Sequence, residues 1–276
     1  MNATLKTYVH GLCIAALTVA APVAARAETT ATVTGTDIGF SSPGNLYGPW
    51  SIADLRTSNQ TPGQAVDFDL AVRSDKDQQF PSQGVYGSVE YIKDLGPRFY
   101  MATAAGYGSS GVSPLPHYNV YQQFAYKLLG ERQLVMTASE DNSGYTQGIT
   151  SNQISVGPMY YGHGFDVQAL YTESANTGAL ARPVGYVALD IGTTPNMESK
   201  VTATVQFGPQ SYESAIPGMP VALGDLTGFN LTLGTTQWVA PRLGFTVTGL
   251  YGRVQNVNLG RLEYIERGIQ FGIDSR

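Results

Sequence analysis

The stretch Lys200-Val-Thr-Ala-Thr-Val-Gln-Phe-Gly208 alternates apolar and polar residues without a break. In an extended chain successive side chains point to opposite faces. Val201, Ala203, Val205 and Phe207 therefore form one row, and Lys200, Thr202, Thr204 and Gln206 the other. The apolar row must lie against either a protein core or lipid, and that choice sets the fold class. The same period runs along the rest of the chain. Val66, Phe68, Leu70 and Val72 alternate with Asp67, Asp69, Ala71 and Arg73, and Leu243, Phe245, Val247, Gly249 and Tyr251 alternate with Gly244, Thr246, Thr248 and Leu250. Helical periodicity is nearly absent.

The chain begins with a segment that reads as a leader. Lys6 precedes an apolar run from Gly11 to Val23, and Ala25-Arg26-Ala27 supplies small residues for cleavage after Ala27. Residues 1–27 are accordingly expected to be a secretory signal peptide and 28–276 the mature protein. The single cysteine, Cys13, falls in the leader, which leaves no disulfide framework. Without Lys6 and Arg26 the basic residues number 14 against 21 acidic ones, a formal charge of −7. That balance offers no footprint for nucleic acid. Only 13% of residues are charged, about half of the ~25% usual in soluble domains. After the leader no apolar run approaches the ~20 residues of a membrane helix.

The alternating runs number fourteen, with twelve as the alternative count. They begin near Ala31, Trp50, Ala65, Val85, Phe99, Tyr118, Gln133, Asn152, Phe165, Val184, Lys200, Thr227, Leu243 and Leu262. Pro158 weakens the eighth, because proline donates no ladder hydrogen bond. The connections alternate in length. Leu95–Arg98, Gly130–Arg132, Gly162–Gly164 and Ala240–Arg242 are short, whereas Gly108–His117, Ser139–Thr150, Ser174–Pro183 and Pro209–Leu226 are long. Short turns on one rim and long loops on the other mark a transmembrane barrel. A Greek-key sandwich has no reason to alternate in this way. Many runs reach the ~9–11 residues of a membrane-crossing strand. Aromatic residues sit near their ends, as in Phe99 and Tyr107, Tyr118 and Tyr126, Phe165 and Tyr171, and Phe245 and Tyr251. The fold expected is all-β: a transmembrane antiparallel up-and-down barrel with Val66, Phe68, Leu70, Val201, Val205 and Phe207 facing lipid.

Several segments also resemble a known family. TGTDIGF (Thr34–Phe40) leads through LYGPW (Leu46–Trp50) into a second strand, and PHYNVYQQFAYKL (Pro116–Leu128) and SVGPMYYG (Ser155–Gly162) follow at similar spacing. Over nearly the whole mature chain these resemble the YaiO-type outer-membrane β-barrel proteins. The resemblance implies an integral barrel of a Gram-negative outer membrane with a link to envelope or surface-polysaccharide biology, and it brings no catalytic residues. Barrels of this kind commonly end on an aromatic residue read by the assembly machinery, whereas here Phe271 lies five residues before the end.

The residues offer little for catalysis. Outside the leader the histidines are His117, in a predicted outer loop near Ser113, and His163, in a tight turn. A nucleophile needs an oriented base, and the base a third group. His117 has no identifiable acid, so an outer-membrane enzyme centred on it is the alternative class rather than the main expectation. Two loop histidines and no mature cysteine supply no metal site of the His/Cys type. Asp75, Asp77, Glu140 and Asp141 fall in predicted outer loops without the spacing of a calcium loop. No cofactor is expected.

The faces opposite the lipid rows are more informative. Asp67, Asp69, Arg73, Glu90, Tyr121, Gln123, Lys127, Asp166, Gln168, Lys200 and Glu266 fall there. Arg or Lys on the lipid side at the midplane would cost about 2–4 kcal/mol. These residues are expected to line the lumen, where their mixed signs form no ion-selective ring. Arg267 breaks the apolar row of the last strand. The expected role is a non-enzymatic, porin-like pathway or binding lumen for a hydrophilic solute such as a glycan or exopolysaccharide. A plugged structural or adhesive barrel is a third class. The expected partners are outer-membrane lipid, lipopolysaccharide, the barrel-assembly machinery and envelope polysaccharide, with both termini periplasmic.

Overall fold

A computed structural model describes residues 28–42, 48–75, 82–109, 116–129, 133–145, 150–176, 182–194, 198–209, 226–256 and 259–276. Residues 1–27, with Cys13 among them, and Ser113 and Asp77 lie outside the described residues.

Alternation along the chain becomes fourteen strands rather than twelve. They are β1 (Glu28–Ser41), β2 (Trp50–Thr61), β3 (Gln64–Asp75), β4 (Ser82–Asp94), β5 (Phe99–Gly108), β6 (Tyr118–Lys127) and β7 (Leu134–Gly144). There follow β8 (Thr150–Tyr161), β9 (Phe165–Asn176), β10 (Arg182–Gly192), β11 (Lys200–Pro209), β12 (Leu226–Ala240), β13 (Leu243–Asn256) and β14 (Arg261–Ser275). Each pairs antiparallel with its neighbours in sequence. β1 then closes on β14 in a register running from Ala31 opposite Ser275 to Ser41 opposite Ile265. Closure leaves no unpaired edge, which a sheet in hydrocarbon requires because no water is there to satisfy free N–H and C=O groups.

The short connections β2–β3, β4–β5, β8–β9 and β12–β13 share one rim; the four-residue β13–β14 connection lies on the other, among the longer loops. Two of the tight turns place glycine at positive φ, Gly63 at 81° and Gly164 at 78°, where a Cβ would be strained. An even strand number brings Glu28 and Arg276 to this same rim.

The exposed outer surface is a belt of large apolar side chains. Phe68, Leu70, Val201, Val205 and Phe207 are exposed, and Val66 shares their face opposite Tyr91. Phe99, Tyr107, Tyr118, Phe165, Tyr171 and Phe245 point out as well. A water-soluble protein of this size would hide such a surface, whereas lipid accepts it. Arg267 also faces outward, opposite Tyr251 and about midway along β14.

Two local readings of the sequence are corrected. Glu140 and Asp141 do not lie in a loop: β7 runs through them to Gly144, paired with β6 (Tyr118 opposite Gly144) and β8 (Gly144 opposite Thr150). Paired backbones satisfy one another whatever the side chains, so the sheet continues into a polar sequence that reads as loop. Asp75 likewise is the last residue of β3. At Pro158 the strand persists, but the β8–β9 ladder is recorded at Val156–Tyr171 and again at Met159–Gln168, with no pairs between. The missing proline N–H accounts for the gap.

Candidate functional site in the barrel interior

The second face of each strand points into the barrel, so the period-2 pattern that builds the belt also delivers the polar residues to one enclosed space. Asp67, Asp69, Arg73, Glu90, Tyr121, Gln123, Lys127, Asp166, Gln168, Lys200 and Glu266 all take the inward positions of their strands, opposite in parity to the exposed belt. They do not form one cluster. The interior divides into regions of different chemistry.

The wall of β2–β4 is charged. Arg56 Nη2 lies 2.8 Å from Asp67 Oδ2 and 3.7 Å from Glu90 Oε2, and Asp69 is also within its electrostatic reach. Sequence reading missed Arg56 and its neighbour Asp54 because the alternation of β2 is irregular. Near the rim of short turns, Lys127 is 4% exposed, with Nζ 3.2 Å from Asp94 Oδ1 and 5.6 Å from the centre of the Tyr100 ring. A lysine so far removed from water keeps its charge only beside a partner. These residues border a cavity of about 400 Å³ that also touches Gln64, Val135 and Tyr161.

Toward the opposite end, Arg73 lies over the Trp50 ring at 3.4 Å. Phe40 packs edge-on to Trp50 at 4.5 Å and to Tyr264 at 5.6 Å. Val254 and Tyr264 are buried beside Phe40. This aromatic group braces the inside of the wall where β1, β2, β13 and β14 meet.

Across the barrel the middle of the β6–β11 wall is polar and uncharged. A cavity of about 340 Å³ is bordered there by Tyr121, Gln123, Ser139, Gln153, Gln168 and Tyr186, with further hydroxyls from Ser155 and Thr172, and none of the residues lining it carries a charge. Amides and hydroxyls both donate and accept hydrogen bonds, and tyrosine adds a flat apolar face with a polar tip. Such a lining suits a ligand that is itself a mixture of hydroxyls and C–H faces. Asp166 and Lys200 flank this wall at the short-turn rim, where Lys200 is ion-paired with Asp190. Asp190 shares the inward parity of β10, a signal present in its sequence but not used.

His117 stands at the long-loop rim. Its Nδ1 is 3.3 Å from the carbonyl oxygen of Gly108, and its ring lies 5.7 Å from that of Tyr107. Among the described residues it has no acidic partner, and no group of three or more His, Cys, Asp or Glu side chains there is arranged to hold a metal.

Residues 35–176 match the family model described as the YaiO membrane beta barrel domain. No curated protein matches the chain in sequence. Among solved structures the chain is similar in fold to a CymD monoaromatic hydrocarbon channel, with a TM-score of 0.60, 7% identity, and 91% of this chain and 89% of that chain covered. A second similar structure is the Acinetobacter baumannii outer membrane protein Omp33 (TM-score 0.51, 9% identity, 90% and 98% covered). A third is titled a bacterial polysaccharide outer membrane secretin (TM-score 0.51, 9% identity, 90% and 98% covered). At such identities the likeness concerns the fold alone. The family match spans half of the chain, and the closed barrel with an apolar outer belt agrees with the membrane beta barrel that its description names. The chain belongs to the YaiO family of outer-membrane β-barrel proteins.

Proposed function

We propose that the protein is a non-enzymatic pathway or binding lumen for a hydrophilic, hydroxyl-rich solute of the glycan class. The observation that carries this reading is the uncharged cavity on the β6–β11 wall, whose glutamines, serines and tyrosines match sugar hydroxyls and the C–H faces of sugar rings. The hydrocarbon channels of similar fold do not alter it, because the lining here consists mainly of amide and hydroxyl groups. An exported polysaccharide is one member of the class, and the secretin of similar fold is a parallel in title only. In this reading both termini are periplasmic, on the rim of short turns, and lipopolysaccharide surrounds the outer half of the belt. The barrel-assembly machinery inserts it.

The test is single-channel conductance in a planar bilayer, using protein whose folding is established by a heat-modifiable gel shift. Steady conductance blocked by a neutral oligosaccharide is expected. Gln123→Ala and Gln168→Ala should weaken the block and leave conductance in place. A folded barrel that passes no current would refute the pathway and leave a plugged structural barrel.

A further inference from the structure

We infer that the barrel interior favours cations over anions, so that the solutes it passes are neutral or positively charged; this rests on the pathway reading above. The inference comes from what pairing leaves over. Four described basic side chains face inward: Arg56, Arg73, Lys127 and Lys200. Arg56 is matched to Asp67 and Glu90, Lys127 to Asp94, and Lys200 to Asp190. Arg73 lies over Trp50.

The inward carboxylates exceed these cations. Asp69 is a third acid around the single guanidinium of Arg56, and Asp166 is a second acid beside Lys200 and Asp190. Three more are held by neutral donors. Thr34 donates to Asp54 at 3.2 Å. Asn119 and Ser143 donate to Asp141 at 2.8 and 2.9 Å. Thr32 and Thr246 donate to Asp274, each at 2.8 Å. Hydroxyls and amides orient a carboxylate without cancelling its charge.

Position matters as much as number. Asp141 lies near the long-loop end of β7, Asp54 and Asp69 lie midway along β2 and β3, and Asp166 and Asp274 lie near the rim of short turns. The excess negative charge therefore extends from mouth to mouth inside a closed, low-dielectric wall. A cleft of this kind focuses the field and raises the local concentration of counter-ions by about 10-fold or more. Anionic polymers such as uronate- or phosphate-bearing glycans would meet that field as a barrier.

The experiment is the reversal potential of the reconstituted protein under a KCl gradient. The expected result is a preference for potassium over chloride on the order of 10-fold at 0.1 M salt, shrinking at 1 M as the Debye length falls from ~10 to ~3 Å. The double variant Asp69→Asn/Asp166→Asn, folded by the gel-shift criterion, should show a smaller preference. A conducting pore that prefers chloride, or neither ion, would overturn the selectivity and leave the pathway standing. A preference unmoved by salt and by the double variant would overturn its assignment to these carboxylates. A folded barrel without current would remove pathway and selectivity together.

Discussion

Each residue's face follows from strand parity, and the consequence differs sharply between neighbours. Val205 and Gln206 are adjacent in β11, yet Val205 is exposed on the apolar belt and Gln206 borders the uncharged cavity. Val205 lies midway along its strand, so Val205→Arg should place a guanidinium near the bilayer midplane and cost about 2–4 kcal/mol. Gln206→Lys exchanges one polar inward side chain for another and should cost well under 1 kcal/mol. The temperature at which each folded gel band is lost measures the difference, and equal losses would contradict the assigned faces. The sequence stated this parity directly at Val201–Phe207 and Val66–Arg73, where alternation is unbroken. It was hidden around Asp54 and Arg56, where apolar and polar residues do not keep step.

Elements are set by backbone pairing, which side-chain patterns report only in part. β7 shows this best: the acidic and amide run that reads as loop is strand, held by neighbours on both sides. There Glu140 accepts hydrogen bonds from Asn142 and Asn152 on the outer face, while Asp141 accepts from Asn119 on the inner one. The β8–β9 ladder is interrupted beside Pro158. A Cβ added at Gly157 would meet the carbonyl oxygen of Ala169 at 1.9 Å. Because that atom is backbone beside the Pro158 gap, Gly157→Ala should cost about 1–3 kcal/mol as an overpacking change. Gly106→Ala is the control. Its Cβ would also meet an atom at 1.9 Å, but that atom is the hydroxyl at the far end of Tyr86, which can swing aside. Thermal gel shifts should separate the two variants, and a tolerated Gly157→Ala would mean that the strands can part there without cost.

At the scale of the whole molecule, closure is the property on which everything else depends. The β1–β14 ladder does most of the closing, with eleven register pairs recorded. Arg276 adds a latch at the short-turn rim. Its guanidinium forms two contacts with Glu198, at 2.9 and 3.0 Å, donates to the carbonyl oxygen of Pro241 at 2.7 Å, and lies 4.4 Å from the Trp238 ring. Exposed ion pairs contribute about 1 kcal/mol at most. Arg276→Ala should therefore lower the thermal gel-shift midpoint slightly while the folded band persists. Disappearance of the folded band would assign closure to the latch instead of the ladder.

The sequence by itself favoured fourteen strands over twelve and determined the approximate start of every strand, the rim that carries most short turns, and the face on which most charges lie. All of these follow from a period of two and from turn length, which are local properties of the chain. What only the tertiary structure decided is which inward residues meet. Pairing of Arg56 with Asp67 and Glu90, of Lys127 with Asp94 and of Lys200 with Asp190 depends on register between strands. So does the gathering of Tyr121, Gln123, Gln168 and Tyr186 around one cavity. The mixed signs seen along the chain became an excess of carboxylate only once the barrel closed, because Asp54, Asp141 and Asp274 joined the same enclosed face through ladders that no single strand encodes.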